Sequence, residues 1–314
     1  MDSWEMLTRI FSRNIREILR NVKAAPEYIQ EIRLRIQAPL LLIWNHQEFF
    51  LTPEGRCSAD PKTAYQVTRQ DLKETLEQVG SHSLYAFEEE IRQGFITIPG
   101  GHRIGLAGKV VADKGSIRSM KFITFLNVRL AHEAKGCADA VMPCLFDRGA
   151  MLHTLIISPP RCGKTTLLRD IIRQVSDGET GIRPGMTVGV VDERSELAAC
   201  WQGVPQNQVG IRTDVLDCCP KAQGMMMLIR TMAPQVVAVD EIGSRADLEA
   251  MEQVMNCGCR LLATVHGNSV EDIRRKPVLA AMMEEQWFER YIVLKGGTAG
   301  EIEGIYQADG QRIF

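Results

Sequence analysis

The run Leu155-Ile156-Ile157-Ser158-Pro159-Pro160-Arg161-Cys162-Gly163-Lys164-Thr165-Thr166-Leu167-Leu168 holds residue types at a spacing that can bind polyphosphate. Apolar residues lead into a tight turn, Gly-Lys-Thr-Thr follows, and a helical pattern begins, as in the strand–loop–helix of a P-loop. The physics is that of a helix N-terminus, whose unpaired N–H groups and partial positive charge attract an anion. The predicted cradle is Ser158, Pro159, Pro160, Arg161, Cys162, Gly163, Lys164, Thr165 and Thr166. In it Lys164 reaches the β- and γ-phosphates of ATP, and the Thr165 hydroxyl ligates Mg²⁺. Two positions depart from the pattern G-x-x-x-x-G-K-[ST]. Ser158 stands at the first glycine, and Arg161 stands where a Pro-Pro variant often carries glycine. A small residue suffices at 158 if its φ is negative, whereas a positive φ at Arg161 would be costly.

Phosphoryl transfer also needs carboxylates, and two Asp-Glu pairs follow apolar strands. Val236-Val237-Ala238-Val239-Asp240-Glu241 has the form of a Walker B motif. A buried parallel strand delivers such carboxylates to its C-terminal end, the edge where open α/β sheets bind ligands. Asp240 is expected to orient Mg²⁺, and Glu241 to orient or deprotonate the attacking water. Asp192-Glu193 ends the strand before it and should emerge at the same edge, with Glu193 helping Glu241. Alone, such a cluster is usually a solvated loop; a neighbouring triphosphate raises its functional weight. Thr264-Val265-His266-Gly267-Asn268 follows a further strand, and His266 could sense the γ-phosphate or position water. Positive charge on the developing oxyanion could come from Arg103, Arg129, Arg212, Arg230 or Arg245, although for any one of them a surface ion pair is the plainer reading.

The elements that must position these groups are legible. From residue 152 onward almost wholly apolar strands alternate with helices: strands at 152–157, 188–192, 235–240 and 260–264, helices at 165–175, 222–232 and 246–255. That alternation implies a parallel sheet covered on both faces. The methionines of 222–232 read as core. Segments 291–295 and 301–306, split by a Gly-rich turn, read as a closing antiparallel hairpin. Upstream the pattern is α+β. A helix is expected over 4–20, a strand at 31–36 with strand character through 51, a capped helix after Thr68, and a helix at 84–91. Two strands then flank Pro99-Gly100-Gly101, with close approaches or bulges at Gly105 and Gly108, and a last strand ends near 130. The expected division is an N-terminal α+β domain at 1–135, a linker with a short helix at 136–150, and a P-loop ATPase domain at 151–314.

Composition bounds the rest. The 314 residues are 45% hydrophobic and 24% charged, with a net charge of −2, and suit an ordinary globular protein of about two domains. That balance, with no basic, aromatic-rich stretch, argues against nucleic acid as a partner. The nine cysteines include no C-x-x-C pair, which excludes the usual zinc spacing and points to thiols in a reducing cytoplasm. The first residues carry charges throughout, unlike a signal peptide, and no apolar run reaches the ~18 residues of a membrane span.

The string Ser81-His82-Ser83-Leu84-Tyr85-Ala86-Phe87-Glu88-Glu89-Glu90-Ile91-Arg92-Gln93-Gly94-Phe95-Ile96-Thr97-Ile98-Pro99-Gly100-Gly101-His102-Arg103-Ile104-Gly105-Leu106-Ala107-Gly108-Lys109 resembles the stage III sporulation AA family of endospore-forming bacteria. So do segments 157–170, 190–196 and 239–243. That family is similar to the type II and type IV secretion ATPases. The resemblance implies a RecA-like domain with an N-terminal partner domain, and a homo-oligomer that is typically a hexameric ring. It matches Asp192-Glu193 to an Asp box and Thr264-Val265-His266 to a His box. It further implies ATP hydrolysis at the mother-cell face of a channel complex joining mother cell and forespore, with the membrane proteins of that complex as partners. The alternatives are a nucleotide-gated scaffold with little turnover and, less favoured, a nucleic-acid motor.

Overall fold

Strict alternation at 31–36 and almost unbroken apolar runs after 152 should give two different kinds of sheet, and the computed structural model has both. It describes residues 3–80, 88–113, 116–132, 134–297 and 300–314. Two compact units result, Met1–His132 and Glu133–Phe314.

The first unit is α+β. Its helices are α1 (Ser3–Thr8), α2 (Arg13–Arg20), α3 (Arg69–Val79) and α4 (Glu88–Gln93). Its strands are β1 (Ile29–Arg35), β2 (Leu41–Trp44), β3 (Gln47–Leu51), β4 (Cys57–Ser58), β5 (Phe95–Ile98), β6 (His102–Asp113) and β7 (Ser116–Arg129). They form a sheet in the order β4-β3-β2-β1-β7-β6-β5 with antiparallel neighbours. Period-two alternation sends Ile32 and Leu34 of β1 inward to Phe11, Ile15, Leu19 and Leu72.

The single helix expected over 4–20 is two helices. Ser12 interrupts it: its hydroxyl accepts the Ile15 N–H at 3.4 Å and donates to Asp71 at 2.7 Å. A serine that satisfies its neighbours' backbone favours a cap over a helix interior. Thr68 and Asp71 form a reciprocal capping box on α3, as their spacing predicts. Of the helix expected at 84–91, residues 84–87 lie outside the described residues; α4 begins at Glu88. A Cβ at Gly105 would meet only ordinary contacts, 3.7 Å or more away, so of the close approaches or bulges expected at Gly105 and Gly108 the one present is at Gly108. The register shifts there, and a Cβ would sit 2.7 Å from the Phe122 carbonyl oxygen.

The second unit is α/β. After a small ladder of β8 (Phe146–Asp147) and β9 (Ala150–Met151) come β10 (Thr154–Ser158), α5 (Lys164–Asp177), β11 (Val188–Asp192), β12 (Thr213–Asp217), α6 (Lys221–Thr231), β13 (Val236–Val239), α7 (Arg245–Asn256), β14 (Arg260–His266), α8 (Val270–Arg274), α9 (Pro277–Glu284), β15 (Arg290–Leu294) and β16 (Ile302–Gln307). The sheet order is β12-β11-β13-β14-β10-β15-β16. Every neighbouring pair is parallel except β15–β16, which closes as the expected antiparallel hairpin. Strands β10, β11 and β13 are buried throughout. Alternate residues feed the two faces: Ile156, Val190 and Ala238 pack with Leu167, Leu168 and Ile171 of α5, while Ile157, Val191 and Val239 pack with Met225, Met251 and Met282.

Three details depart from expectation. Segment 136–150, read as a linker, supplies Ala138, Val141, Met142 and Leu145 to the core of this unit. Of the α6 methionines only Met225 is fully buried; Met227 and, just past the helix end, Met232 are about half exposed, since a helix presents only one stripe to the sheet. Strand β12 and helices α8 and α9 were not anticipated. No disulfide joins cysteines among the described residues, and none of the described helices is long and apolar enough to cross a membrane.

Candidate nucleotide site

Strand β10 runs to Ser158, which is buried, extended and paired in register with His266 of β14. Extended backbone tolerates any residue, so the missing first glycine costs nothing there. The loop then turns through Pro159 and the exposed Pro160 to Arg161, whose φ is +63°. Non-glycine residues adopt that left-handed region at a cost of about 1–2 kcal/mol. Cys162 is buried, and its carbonyl accepts the Gly300 N–H at 2.9 Å, which ties the loop to the β15–β16 turn. Gly163, at φ +89°, opens α5.

Among the described residues no side chain caps α5, and its first turn holds no acidic residue. Helices α3, α7 and α8, by contrast, each have a hydroxyl accepting an N–H at their first turn. The first N–H groups of α5 are therefore available to an outside anion such as phosphate. Lys164, Thr165 and Thr166 occupy this first turn, with Lys164 buried and both threonines half-buried.

The end of β13 meets the loop directly. The Thr165 hydroxyl donates to Asp240 Oδ2 at 2.7 Å. Lys164 Nζ donates to Glu241 Oε1 at 2.5 Å, with both side chains largely buried. Asp240 Oδ1 accepts a short hydrogen bond from the Thr264 hydroxyl, which in turn accepts the Glu241 N–H at 2.9 Å. Thr264, fully buried on β14, thus fixes both carboxylate residues. It also braces Glu241 in a left-handed conformation, φ +56°. His266 Nε2 lies 3.0 Å from Glu241 Oε1, and Arg194 donates to Oε2 at 2.9 Å. Burial pushes the Glu241 carboxyl up, but Lys164 and then Arg194 and His266 outweigh it, so the group stays ionised below its ordinary range.

The Asp192-Glu193 pair behaves differently. Asp192 is buried, and its carboxylate accepts the N–H groups of Glu196, Leu197 and Ala198 at 2.8, 3.0 and 2.8 Å. Burial raises its pKa to about 6 in spite of those bonds, with Asp217 adding repulsion. Glu193 is partly exposed and pairs with Lys221 Nζ at 2.8 Å. It lines the same cleft as Asp192, Arg194, Asp240 and Glu241 without a hydrogen bond to either β13 carboxylate.

The arginine candidates are dispersed. Arg212 donates to the Ser176 carbonyl at the far end of α5, and Arg230 and Arg245 are exposed on α6 and α7. In the first unit, Arg103 lies 3.4 Å from the Phe95 ring centroid and Arg129 pairs with Glu31 at 3.4 Å. Among the described residues of the second unit, Arg194 lines the cleft; sequence reasoning passed over it although it sits inside the Asp192–Glu196 cluster.

Among the described residues no three His, Cys, Asp or Glu side chains form a ready metal cage. The paired oxygens of Thr165 and Asp240 nonetheless suit Mg²⁺, a hard cation that keeps several waters and shares phosphate oxygens.

The model of the family described as "Sporulation stage III, protein AA" matches residues 1–313. Stage III sporulation protein AA of Bacillus subtilis (strain 168) is 41% identical over 283 residues, 90% of this chain and 88% of that protein. Among solved structures, the Legionella pneumophila ATPase DotB aligns with a TM-score of 0.56 at 14% identity, covering 86% of this chain and 73% of its own. The pilus retraction motor PilT with bound ADP aligns with a TM-score of 0.56 at 15% identity, covering 84% and 74%. At such identities the likeness is one of fold: a RecA-like P-loop domain preceded by a smaller α+β domain.

Proposed function

The chain belongs to the sporulation stage III protein AA family, and on that premise we propose that it binds and hydrolyses ATP at the edge formed by the P-loop and β13. The observation that carries this reading is the meeting of Lys164, Thr165, Asp240 and Glu241, drawn from two separate strand ends, beside an uncapped helix N-terminus. Lys164 and the loop from Ser158 to Thr166 hold the phosphates. Thr165 and Asp240 would hold Mg²⁺, which when bound neutralises charge on the β- and γ-phosphates. Glu241 orients the attacking water and draws off its proton as the new P–O bond forms and the bond to ADP breaks. His266 bears on Glu241, and Glu193 supports it from the same cleft. In the cell, the family assignment and the fold of the secretion ATPases support work as a homo-oligomeric ring. That ring would act at the mother-cell face of a channel complex, bound to the membrane proteins of that complex during endospore formation.

One observation favours a second reading, a nucleotide-gated scaffold with little turnover. The P-loop carries Arg161 in a strained conformation, and its lysine is already paired with Glu241. A steady-state assay with Mg-ATP, beside equilibrium binding of a labelled nucleotide, separates the two. The expected result is that Lys164→Ala abolishes binding, while Glu241→Gln preserves binding and lowers turnover at least about 100-fold. ATPase activity unchanged by both substitutions would refute the site. Tight binding with negligible wild-type turnover would establish the scaffold.

A further inference from the structure

Glu241 is held from both sides. Oε1 faces Lys164 at 2.5 Å and His266 at 3.0 Å, and Oε2 faces Arg194 at 2.9 Å. Once a nucleotide claims Lys164, Oε1 is released toward the γ-phosphate. The carboxylate then needs a second anchor if it is to point at water rather than swing free. From this geometry we propose that Arg194 is a positioning residue, a cation of the same subunit that fixes Glu241 through Oε2 while Lys164 is engaged by phosphate. The inference rests on the ATPase reading of the site.

An ion pair with an exposed arginine is ordinarily weak, and Arg194 is 65% exposed. Here two features raise its worth. Its partner is only 20% exposed and strongly constrained, with the Glu241 backbone braced by Thr264. The loop that presents Arg194 is stapled in both hydrogen-bonding senses. Asp192 accepts three N–H groups from residues 196–198. From α5, Arg169 donates to the carbonyls of Glu196 and Leu197, both at 2.6 Å. The buried Asp192 therefore serves the site indirectly, by holding the loop whose arginine reaches the β13 carboxylate. A loop fixed this firmly presents a side chain at little further entropic cost. Misplacing a reacting group by as little as 1 Å can cost about 100-fold in rate.

The test uses the full chain with Mg-ATP. Arg194→Ala is expected to lower kcat by about 10- to 100-fold while KM for ATP changes less than about 3-fold. Arg194→Lys should recover part of the loss, because it restores charge without the planar fork. In a Glu241→Gln background, Arg194→Ala should change the residual rate by less than about 2-fold, since the group it positions has gone. Wild-type kcat in Arg194→Ala, or an equal loss in both backgrounds, overturns the proposal. If the wild type hydrolyses no ATP, the ATPase reading fails, and the pairing is read from thermal unfolding. A drop in Tm of about 2 °C for Arg194→Ala that vanishes in Glu241→Gln supports the contact, and an additive drop removes it.

Discussion

Two Asp-Glu pairs end adjacent parallel strands of one sheet, and they meet different partners. Asp240-Glu241 after β13 faces the P-loop: its carboxylates receive Thr165, Lys164, Thr264 and Arg194. Asp192-Glu193 after β11 faces its own loop and α6, with Asp192 sealed by backbone N–H groups and Glu193 taken by Lys221. The sequence pattern, apolar strand then two acids, is the same. Sheet order separates them, because β13 is one strand nearer β10 than β11 is. Which groups a pair of acids at a strand end meets thus depends on sheet order and on what its neighbours present.

The sharpest way to break this contrast is to neutralise one glutamate in each pair. Glu241→Gln is expected to reduce turnover at least about 100-fold, and Glu193→Gln no more than about 10-fold. Single-turnover rates at saturating ATP measure both. A larger loss at Glu193 would exchange their roles.

The staple can be tested by stability. Asp192→Asn removes one acceptor oxygen from a buried set of N–H groups and should cost about 1–3 kcal/mol in denaturant unfolding. It should also change the pH dependence. Burial raises the folded Asp192 pKa from its ordinary 3.8 to about 6. Between those values the folded chain holds a proton the unfolded chain has released. This group's contribution to stability therefore falls as pH rises from about 4 to about 6 and is level above. The wild type's advantage over Asp192→Asn should shrink by up to about 3 kcal/mol across that window. Unfolding midpoints at a series of pH values check it, and a constant difference would show that Asp192 does not titrate there.

The smallest effect concerns the loop facing the β13 pair. Arg161→Gly relieves a left-handed arginine but adds unfolded-state entropy, for a net gain of about 0–1 kcal/mol. A calorimetric Tm equal to or slightly above that of wild type is expected. A clear fall would mean that the Arg161 side chain contributes contacts that offset its strain.

Local signals fixed the strand–loop–helix of the P-loop, the β11 strand at its expected bounds, and the α3 capping box, since each depends on residues a few positions apart. Non-local pieces escaped. Strand β12 lies at a sheet edge, with all five residues half-buried, so it lacks the apolar run of its neighbours. The short helices α8 and α9 hold too few turns to set up a clear period. Ser12 looked like an interior helix residue until its hydroxyl met Asp71 from a distant segment.

Sequence by itself determined which groups are available: a lysine and a threonine at a helix start, acids at strand ends, a histidine at the end of another strand. Only the tertiary structure decided which of them meet. It placed Thr264 under both β13 residues, spent Asp192 on its own loop, and carried Arg194 to Glu241. The reason is physical. Helix and strand periods act over a few residues, whereas the partner of a carboxylate is set by strand order and by which backbone groups burial leaves to be satisfied.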